Sequence, residues 1–220
     1  GREAVRGFTL SVLLEACGRD VAGLRDAAIL SLGYDAGLRV SELVAVAVEL
    51  MEAQEDGSGL LEVPHSKADQ EGQGAWVWLS PDTMRRVALW REAASIRAGA
   101  LFRRVAVIRT KPREARRALA IEDLAYHARV DRERMAARPA RAATVTYGIG
   151  ERALTPAAMR LIIKRTALAA ADQGLVDLMG ADLDHAIDAL STHSLRVGLT
   201  QDLFANGEDA GPIAQALRWT

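Results

Sequence analysis

The sequence predicts an α+β domain, mainly α-helical, with a small antiparallel β-sheet. Apolar residues recur at helical spacing through much of the chain, and several of these runs begin at a capping residue and end at glycine. Two strand-like runs, 60–63 and 76–79, are separated by the polar segment HSKADQEGQG, which predicts a β-hairpin. Half of the 220 residues are apolar, so the chain can bury a sizeable core.

The first part of the chain predicts three helices and one further strand. The first helix covers 9–16, and the second covers 21–36, with Gly37 in the place of a C-terminal cap. The third covers 41–46. A strand is expected around 46–50, before the turn EDGSG.

A Ser-Pro and a Thr-Pro dipeptide begin the two long helices predicted at 80–98 and 155–172. Serine or threonine caps the first free N–H groups, and proline fits the first helical position. Shorter helices are predicted at 193–205 and 212–217. The arginine-rich segment 109–150 is interpreted as a basic, extended insertion with one helix near its middle, at 121–135.

Charge is distributed unevenly along the chain. The formal net charge is −1, but the segment from Arg85 to Arg165 has 20 Lys and Arg against 7 Asp and Glu, a net of +13. The remainder is correspondingly acidic, with a net of −14. Such polarity indicates a basic surface that the average conceals. A solvated arginine-rich face is the alternative, because 25 Arg against 3 Lys is a bias of the whole chain.

Several classes of protein are disfavoured by composition. The single cysteine, Cys17, fits a reducing compartment, and no apolar run is long enough to cross a bilayer. The four histidines show no metal-ligand spacing with Cys or Glu. We therefore expect a cytoplasmic protein that needs no metal and no cofactor.

Two arginine motifs stand near opposite ends of the chain. His193 and Arg196 are three residues apart on one predicted helical face, where they could cradle a phosphate group. In GLRVSEL, Arg39 lies at a helix–helix junction, and Glu42 can pair with it and fix its direction. Each motif alone also fits a structural role: a core histidine with a capping arginine, or a structural salt bridge. Lys67, at the predicted hairpin tip, is either solvated or able to enter a DNA groove and deliver a proton.

Together these segments resemble the catalytic domain of the tyrosine recombinases, the phage integrase family. LRDAAILSLGYDAGLRVSEL resembles the first arginine box, LLEVPHSKADQEGQGAWVWLS the lysine hairpin, and THSLRVGLTQDLFANGEDAGPIAQALRW the second box. They occur in the family's order and cover most of the chain. Trp219, where many members have a second histidine, is similar to the Cre subgroup. The resemblance implies the tyrosine recombinase catalytic-domain fold over residues 1–220.

The resemblance also implies catalytic roles. Arg39 and Arg196 would hold the non-bridging oxygens of the scissile phosphate, His193 would hydrogen-bond to that phosphate and assist proton transfer, and Trp219 would donate its indole N–H. Lys67 would protonate the departing 5′-oxygen. Fixed cationic donors of this kind stabilise the charge that spreads over the oxygens during phosphoryl transfer.

The same resemblance assigns supporting residues around that site. Glu42 would orient Arg39 from behind. Arg160, Lys164 and Arg165 would lie against the DNA, whereas insertion 109–150 is either a DNA-contacting arm or a solvated loop. The inward face of the helix at 155–172 is expected to comprise Met159, Ile162, Ile163 and Leu168.

The family's nucleophile is a tyrosine that follows the second box. All three tyrosines of this sequence, Tyr34, Tyr126 and Tyr147, precede Arg196, and Tyr34 is expected in the core. We therefore expect a chain that lacks its nucleophile, and also the N-terminal helical domain with which the family completes its clamp around DNA.

The sequence thus predicts a bacterial, phage or mobile-element site-specific recombinase or integrase acting on double-stranded DNA through a 3′-phosphotyrosine. The intact protein would form a synaptic tetramer on DNA, whereas these 220 residues would be monomeric and inactive in cleavage. A type IB topoisomerase-like enzyme and a degenerate, non-catalytic DNA-binding module are the alternatives.

Overall fold

A computed structural model describes residues 7–64, 74–120 and 135–191, and five residues beyond them: Ser194, Leu195, Val197, Gly198 and Gln201. Within these ranges the chain forms six α-helices, one 3-10 helix and five β-strands. The helices are α1 (Leu10–Ala16), α2 (Val21–Asp35), α3 (Val40–Ala45), α4 (Pro81–Ala93), α5 (Pro156–Asp172) and α6 (Gly180–Ala189). The strands are β1 (Met51–Ala53), β2 (Gly59–Val63), β3 (Ala75–Leu79), β4 (Arg103–Thr110) and β5 (Thr144–Ala153). The predicted α+β class is confirmed.

The chain divides into two compact units. One comprises Gly1–Arg104 with Ile149–Thr220, and the other comprises Val105–Gly148. The first contains all six described helices and the three-stranded sheet, and the second contains most of β4 and part of β5. The interpretation of 109–150 as an insertion within one catalytic domain stays a prediction.

Helix α2 is the central element of the larger unit. Ten of its 15 residues are buried, and α1, α4 and α5 all contact it. Because it is covered on several sides, its apolar residues do not form a single stripe, as they would on a surface helix. Its N-terminus is capped by Asp20, whose Oδ1 accepts from the Gly23 N–H at 2.8 Å.

The two proline-led helices begin where the sequence predicts. Ser80 Oγ accepts from the Thr83 N–H, and Thr155 Oγ1 accepts from the Ala158 N–H, both at 3.2 Å. Each cap satisfies an N–H that has no partner inside its own helix. Helix α5 also ends as predicted, with Gly174 at a φ of +70°.

The predicted end of α4 at residue 98 is wrong, because the helix stops at Ala93. Ser95 has a φ of 54°, and the Ile96 N–H donates to the Arg91 carbonyl at 2.9 Å. This is the Schellman arrangement, usually made by glycine at the left-handed position. Ile96, which follows the left-handed residue, is buried and only 3% exposed.

The predicted hairpin is confirmed as strands β2 and β3 of an antiparallel sheet in the order β1-β2-β3. Its connection, 65–73, lies outside the described residues. On β3, Trp76 and Trp78 are 58% and 56% exposed, whereas Leu79 is buried.

The fully buried Trp90 of α4 instead donates its indole N–H to the Leu101 carbonyl at 2.9 Å.

The strand expected at 46–50 is wrong. Residues Val48–Leu50 form a 3-10 helix, and strand β1 begins only at Met51. The preceding backbone pairs elsewhere: the Leu101 N–H donates to the Val46 carbonyl, and the Val48 N–H donates to the Gly99 carbonyl, both at 2.9 Å. These bonds occupy the groups that a strand would present to the sheet.

Two features were not predicted from the sequence. Strands β4 and β5 pair as a two-stranded sheet, where only an extended insertion was expected, and α6 precedes the second arginine box. The helix predicted at 121–135 lies almost entirely outside the described residues, as does the helix at 212–217. Of the helix predicted at 193–205, the five described residues are helical.

Gly33 of α2 is the point where two distant segments meet. An ideal Cβ at this position would lie 3.0 Å from Leu195 Cδ1 and 3.4 Å from Leu43 Cδ2. Leu43 of α3 and Leu195 are both buried. Leu195 also joins Leu13, Leu30, Ile163, Ala167 and Ile187 in one core cluster. The missing side chain of Gly33 therefore lets α3 and the segment at 194–198 approach the same turn of α2.

Replacing Gly33 by valine is expected to destabilise the fold by about 1–3 kcal/mol, because the added methyl groups meet Leu43 and Leu195 in a filled core. Urea denaturation measures the change. Gly7→Val is the control, since a Cβ there meets nothing within 4 Å. An unchanged midpoint for Gly33→Val would show that the two leucines do not converge on this helix turn.

The Cys17 thiol is expected to be unreactive in the folded protein. Burial, followed by the charge of Asp26, raises its pKa from 9.0 to about 12. At about pH 8, alkylation by iodoacetamide should be at least about 100-fold slower in the native chain than in concentrated urea. Mass spectrometry measures the modified fraction.

The same shift predicts a loss of stability in alkali. Between pH 9 and about 12 the unfolded thiol ionises while the folded thiol stays protonated, so stability should fall as pH rises above 9. Cys17→Ala removes this component and serves as the control. Equal alkali sensitivity in both chains would contradict the assignment.

Candidate functional site

Arg39 lies at a fixed junction between two helices. Helix α2 ends at Asp35, Gly37 turns the chain with a φ of +52°, and Arg39 is the N-cap residue of α3. Leu38, immediately before it, is 1% exposed. Leu43, one turn into α3, is also buried, so the backbone around Arg39 is held between two buried leucines.

Glu42 contacts Arg39 through both carboxylate oxygens. Its Oε2 accepts from the Arg39 backbone N–H at 2.8 Å, and its Oε1 accepts from the Arg39 Nη1 at 3.0 Å. The Glu42 side chain is 7% exposed, whereas that of Arg39 is 37% exposed. The pairing expected from the sequence is therefore present: a buried carboxylate orients a guanidinium that still reaches solvent.

A groove of about 250 Å³, lined by Glu42 but not by Arg39, lies between α3 and β2. Its walls include Ser41 and Glu42 on one side and Glu62, Val63 and Pro64 on the other. Pro64 is the last described residue before the segment that carries Lys67, which itself lies outside the described residues. The fold thus places the start of the predicted lysine hairpin and the Arg39 helix along the same groove.

The other predicted catalytic residues, His193, Arg196 and Trp219, lie outside the described residues. Neighbours of His193 and Arg196 in the sequence are described. Leu195 is buried against Gly33, and Gly198 faces the ring of Tyr34, whose Cε2 would lie 3.5 Å from an ideal Cβ. Leu195 and Gly198 therefore pack against α2 within two turns of the junction that carries Arg39. The catalytic roles of these side chains stay predictions.

The three basic residues assigned to DNA on α5 have different surroundings. Arg160 is exposed. Lys164 Nζ donates to Asp188 Oδ1 at 2.9 Å, and this bond lowers the pKa of Asp188 below its usual value. Arg165 pairs with the buried Asp26 although its own side chain is 57% exposed. Lys164 and Arg165 thus connect α5 to neighbouring helices, and contact with DNA by any of the three stays a prediction.

Asp26 is a buried site that sequence reasoning missed. Its Oδ1 accepts from Arg25 Nε and Nη2 at 2.9 and 2.7 Å, and its Oδ2 accepts from Arg165. Arg25 and Asp26 are both 4% exposed. One carboxylate between two guanidiniums compensates the buried charge and links α2 to α5. The sequence signal that could have revealed this site is an arginine next to an aspartate within an otherwise apolar helix.

The inward face predicted for α5 is correct in three of its four residues. Met159, Ile162 and Ile163 are buried, but Leu168 is 48% exposed, so its predicted burial is wrong. At about 100° per residue, Leu168 lies roughly 140° around the helix from Ile163. It belongs instead to the face that carries Arg160 and Arg165.

The two described tyrosines lie in different units of the chain. Tyr34 is half-buried in a pocket with Leu13, Ile163 and Leu195, close to the expected core position. Tyr147 lies on β5 in the smaller unit, and Tyr126 is outside the described residues.

No helix in the described part of the chain is long and apolar enough to span a membrane. No group of three or more His, Cys, Asp or Glu residues is arranged there to hold a metal ion.

Neither a protein-family model nor a curated protein sequence matches this chain. Several solved structures, by contrast, are similar to it. The crystal structure of XerA recombinase has a TM-score of 0.56 at 14% identity, covering 99% of this chain and 55% of that one.

The XerH site-specific recombinase is similar to a comparable degree. Its pre-cleavage complex with difH substrate gives a TM-score of 0.53 at 14% identity, covering 94% of this chain and 45% of XerH. Its post-cleavage complex with palindromic difH gives 0.55 at 14% identity, covering 94% and 44%. This chain thus spans about half the length of these recombinases, and it has the fold of tyrosine recombinase catalytic domains.

Proposed function

We propose that this chain is the catalytic domain of a site-specific tyrosine recombinase. The observation that carries the proposal is Arg39, a solvent-reaching guanidinium fixed at a helix junction by the buried carboxylate of Glu42, on a fold shared with XerA and XerH. A preorganised cation in such a position can stabilise charge developing on a phosphate without reorganising during the reaction.

In the proposed reaction a tyrosine oxygen attacks a DNA phosphate and the 5′-oxygen leaves, which gives a 3′-phosphotyrosine. Arg39 and Arg196 neutralise the non-bridging oxygens, and His193 and Trp219 add hydrogen bonds to the same group. Lys67 gives a proton to the departing oxygen. The anchoring of Leu195 and Leu43 on Gly33 supports this arrangement, because it holds the two arginine segments on one helix.

The partner of the proposed enzyme is double-stranded DNA, and recombination takes place in a tetramer that assembles on it. XerH has been crystallised with its difH substrate, which supports DNA as the partner of this fold. Membership of the Cre-like subgroup rests on Trp219 and remains part of the proposal. A cytoplasmic location and an origin in a bacterium, phage or mobile element also remain proposed.

Binding to duplex DNA is expected to be steeply salt-dependent, because the segment from Arg85 to Arg165 has a net charge of +13 and would release counterions from DNA. Fluorescence anisotropy with a labelled duplex, across a series of KCl concentrations, measures the slope of log K against log salt. A flat slope would exclude the basic segment as the DNA surface.

Arg39→Ala is expected to reduce strand cleavage by about 100- to 1,000-fold while leaving the fold intact, because it removes a donor used in the transition state. The DNA duplex used as substrate would be selected from a random library by its binding to the chain. Hydrogen peroxide would supply the attacking oxygen in place of a tyrosine. Cleavage is read on a denaturing gel.

Two further variants sharpen this test. Glu42→Gln should give a smaller loss, since Arg39 stays but is less firmly oriented. Arg19→Ala removes the same charge from an exposed position outside the basic segment Arg85–Arg165 and should cleave normally. If Arg39→Ala retained full activity under these conditions, Arg39 would have a structural role only.

The 220-residue chain is expected to form no covalent adduct with DNA, because Tyr34, Tyr126 and Tyr147 all precede Arg196, whereas the nucleophile of the family follows the second box. A suicide duplex, in which the cleaved strand diffuses away, would trap an adduct on a denaturing gel. The control is the same chain extended by a segment that carries a tyrosine. An adduct from the 220 residues alone would identify one of their own tyrosines as the nucleophile; none from either chain would favour a non-catalytic DNA-binding module.

A further inference from the structure

The three-stranded sheet has one buried face and one face that carries two exposed indoles. Leu61 of β2 and Leu79 of β3 are fully buried, whereas Trp76 and Trp78 of β3 are 58% and 56% exposed. Because successive side chains of a strand point to opposite faces, both indoles lie on the face that is turned away from the core. Adjacent large apolar side chains in solvent mark a surface that binds something.

The same face continues across β2 and β1 with one apolar and two acidic residues. Leu60 of β2 lies opposite Trp78, and Glu52 of β1 lies opposite Leu60. Glu62 of β2 lies opposite Trp76. Directly opposed side chains on one face of an antiparallel pair are neighbours, with their Cβ atoms about 5 Å apart. The two indoles are therefore bordered by carboxylates. We call these five residues the tryptophan face.

The turn between β1 and β2 adds two carboxylates beside this face. Glu55 and Asp56 line an open concavity together with Trp78. Asp56 Oδ1 accepts from the Ser58 hydroxyl at 2.6 Å and from the Ser58 N–H at 2.9 Å. These bonds, that of the hydroxyl first, lower the pKa of Asp56 below its usual value. The turn thus presents an ionised carboxylate in a fixed position.

No basic residue offsets these charges within the segments that build the sheet. Described residues 50–64 and 74–80 contain four Asp and Glu and no Lys or Arg. A surface with charge of one sign attracts ligands of the opposite sign and repels those of its own. The tryptophan face therefore disfavours the phosphates of nucleic acids and is complementary to a cationic partner.

Arginine is the side chain that matches indoles bordered by carboxylates. A guanidinium stacks on the face of tryptophan, and the same planar group forms paired hydrogen bonds with a carboxylate. In an extended peptide, alternate side chains point the same way and are about 7 Å apart. Trp76 and Trp78 are two positions apart on one strand and so have the same spacing. An extended segment with arginine at alternate positions can place one guanidinium on each indole.

We propose that the tryptophan face binds an extended, arginine-containing segment of a partner protein. The binding combines burial of the indoles and Leu60 with the charge of the surrounding carboxylates. It does not depend on the proposed function, because it uses none of the residues assigned to the DNA phosphate.

A defined peptide serves as the probe. A fluorescein-labelled peptide that alternates glycine and arginine is titrated with the 220-residue chain at low salt, and fluorescence anisotropy measures its affinity. The matched peptide has citrulline, the neutral isostere of arginine, at the same positions. The arginine peptide should bind at least about 10-fold more tightly. Equal affinities, or no binding up to about 1 mM of the chain, would overturn the proposal.

Replacing both indoles tests whether they form the binding surface. Trp76→Thr with Trp78→Thr should weaken binding of the arginine peptide by about 10-fold, since two cation–π contacts are lost. Threonine keeps the strand preference of these positions. Met179→Thr is the control, because it removes an exposed apolar side chain at the N-cap of α6, where threonine is favoured. Equal affinity in the two variants would contradict the assignment.

The acidic border is tested with variants that leave the indoles and the core intact. Glu52→Gln with Glu55→Gln should weaken binding at least about threefold at low salt, and the difference should vanish near 1 M KCl, where the screening length is about 3 Å. Glu15→Gln with Glu92→Gln removes the same charge from exposed positions on α1 and α4 and should have little effect. Equal losses in both pairs would show attraction to net charge alone and overturn the proposal.

Other occupants of the tryptophan face give different results. Binding to oligothymidylate that is lost in the double tryptophan variant, with binding of the arginine peptide unchanged, would identify a surface that stacks nucleobases. A wild-type dimer in sedimentation velocity that becomes a monomer in the same variant would identify a second copy of this chain. Either result would overturn the proposed partner. A chain that binds the arginine peptide but no duplex DNA would refute only the proposed function.

Discussion

The close approach at Gly33 is the contact on which the rest of the larger unit depends. A side chain there would separate Leu43 from Leu195, and these two leucines carry the segments that follow Arg39 and surround Arg196 in the sequence. Residues more than 150 positions apart in the chain are thereby held on one turn of a buried helix. The core of such a domain does more than stabilise it, since its packing also sets the distance between segments that are far apart in the sequence.

Two buried carboxylates, Glu42 and Asp26, organise charged groups in the larger unit. At the surface junction, the carboxylate of Glu42 is bound by the Arg39 backbone, so the cap of α3 also directs the Arg39 side chain. Deeper in the molecule, Asp26 connects Arg25 to Arg165 and links two helices. In both cases a buried carboxylate is satisfied by donors on more than one side, which limits the cost of its burial. The Arg39–Glu42 pair leaves a guanidinium that reaches solvent, whereas Asp26 and its two arginines hold helices together.

How far the sequence predicts this structure depends on whether the signal is local. Caps at Ser80 and Thr155 depend on a few adjacent residues and were predicted correctly. The end of α4 was missed because serine, not glycine, takes the left-handed position at residue 95. Strands β4 and β5 were missed because the arginine-rich sequence between them favoured a single extended insertion, although Val145, Tyr147 and Ile149 of β5 alternate with Thr and Gly. The Arg39–Glu42 contact was predictable from a spacing of three, but the meeting of Leu43 and Leu195 at Gly33 is tertiary and has no local signature.

The placement of the tryptophans gives the protein its own optical reporters. Trp90 is fully buried and hydrogen-bonded in the core, whereas Trp76 and Trp78 stand in solvent on the strand that follows the Lys67 segment. Buried and exposed indoles emit at different wavelengths, so the red-edge emission is weighted toward the hairpin. Collisional quenchers would reach the exposed pair and spare Trp90. Once Trp219, the fourth tryptophan, is replaced by phenylalanine, events at the hairpin can therefore be followed separately from unfolding of the core.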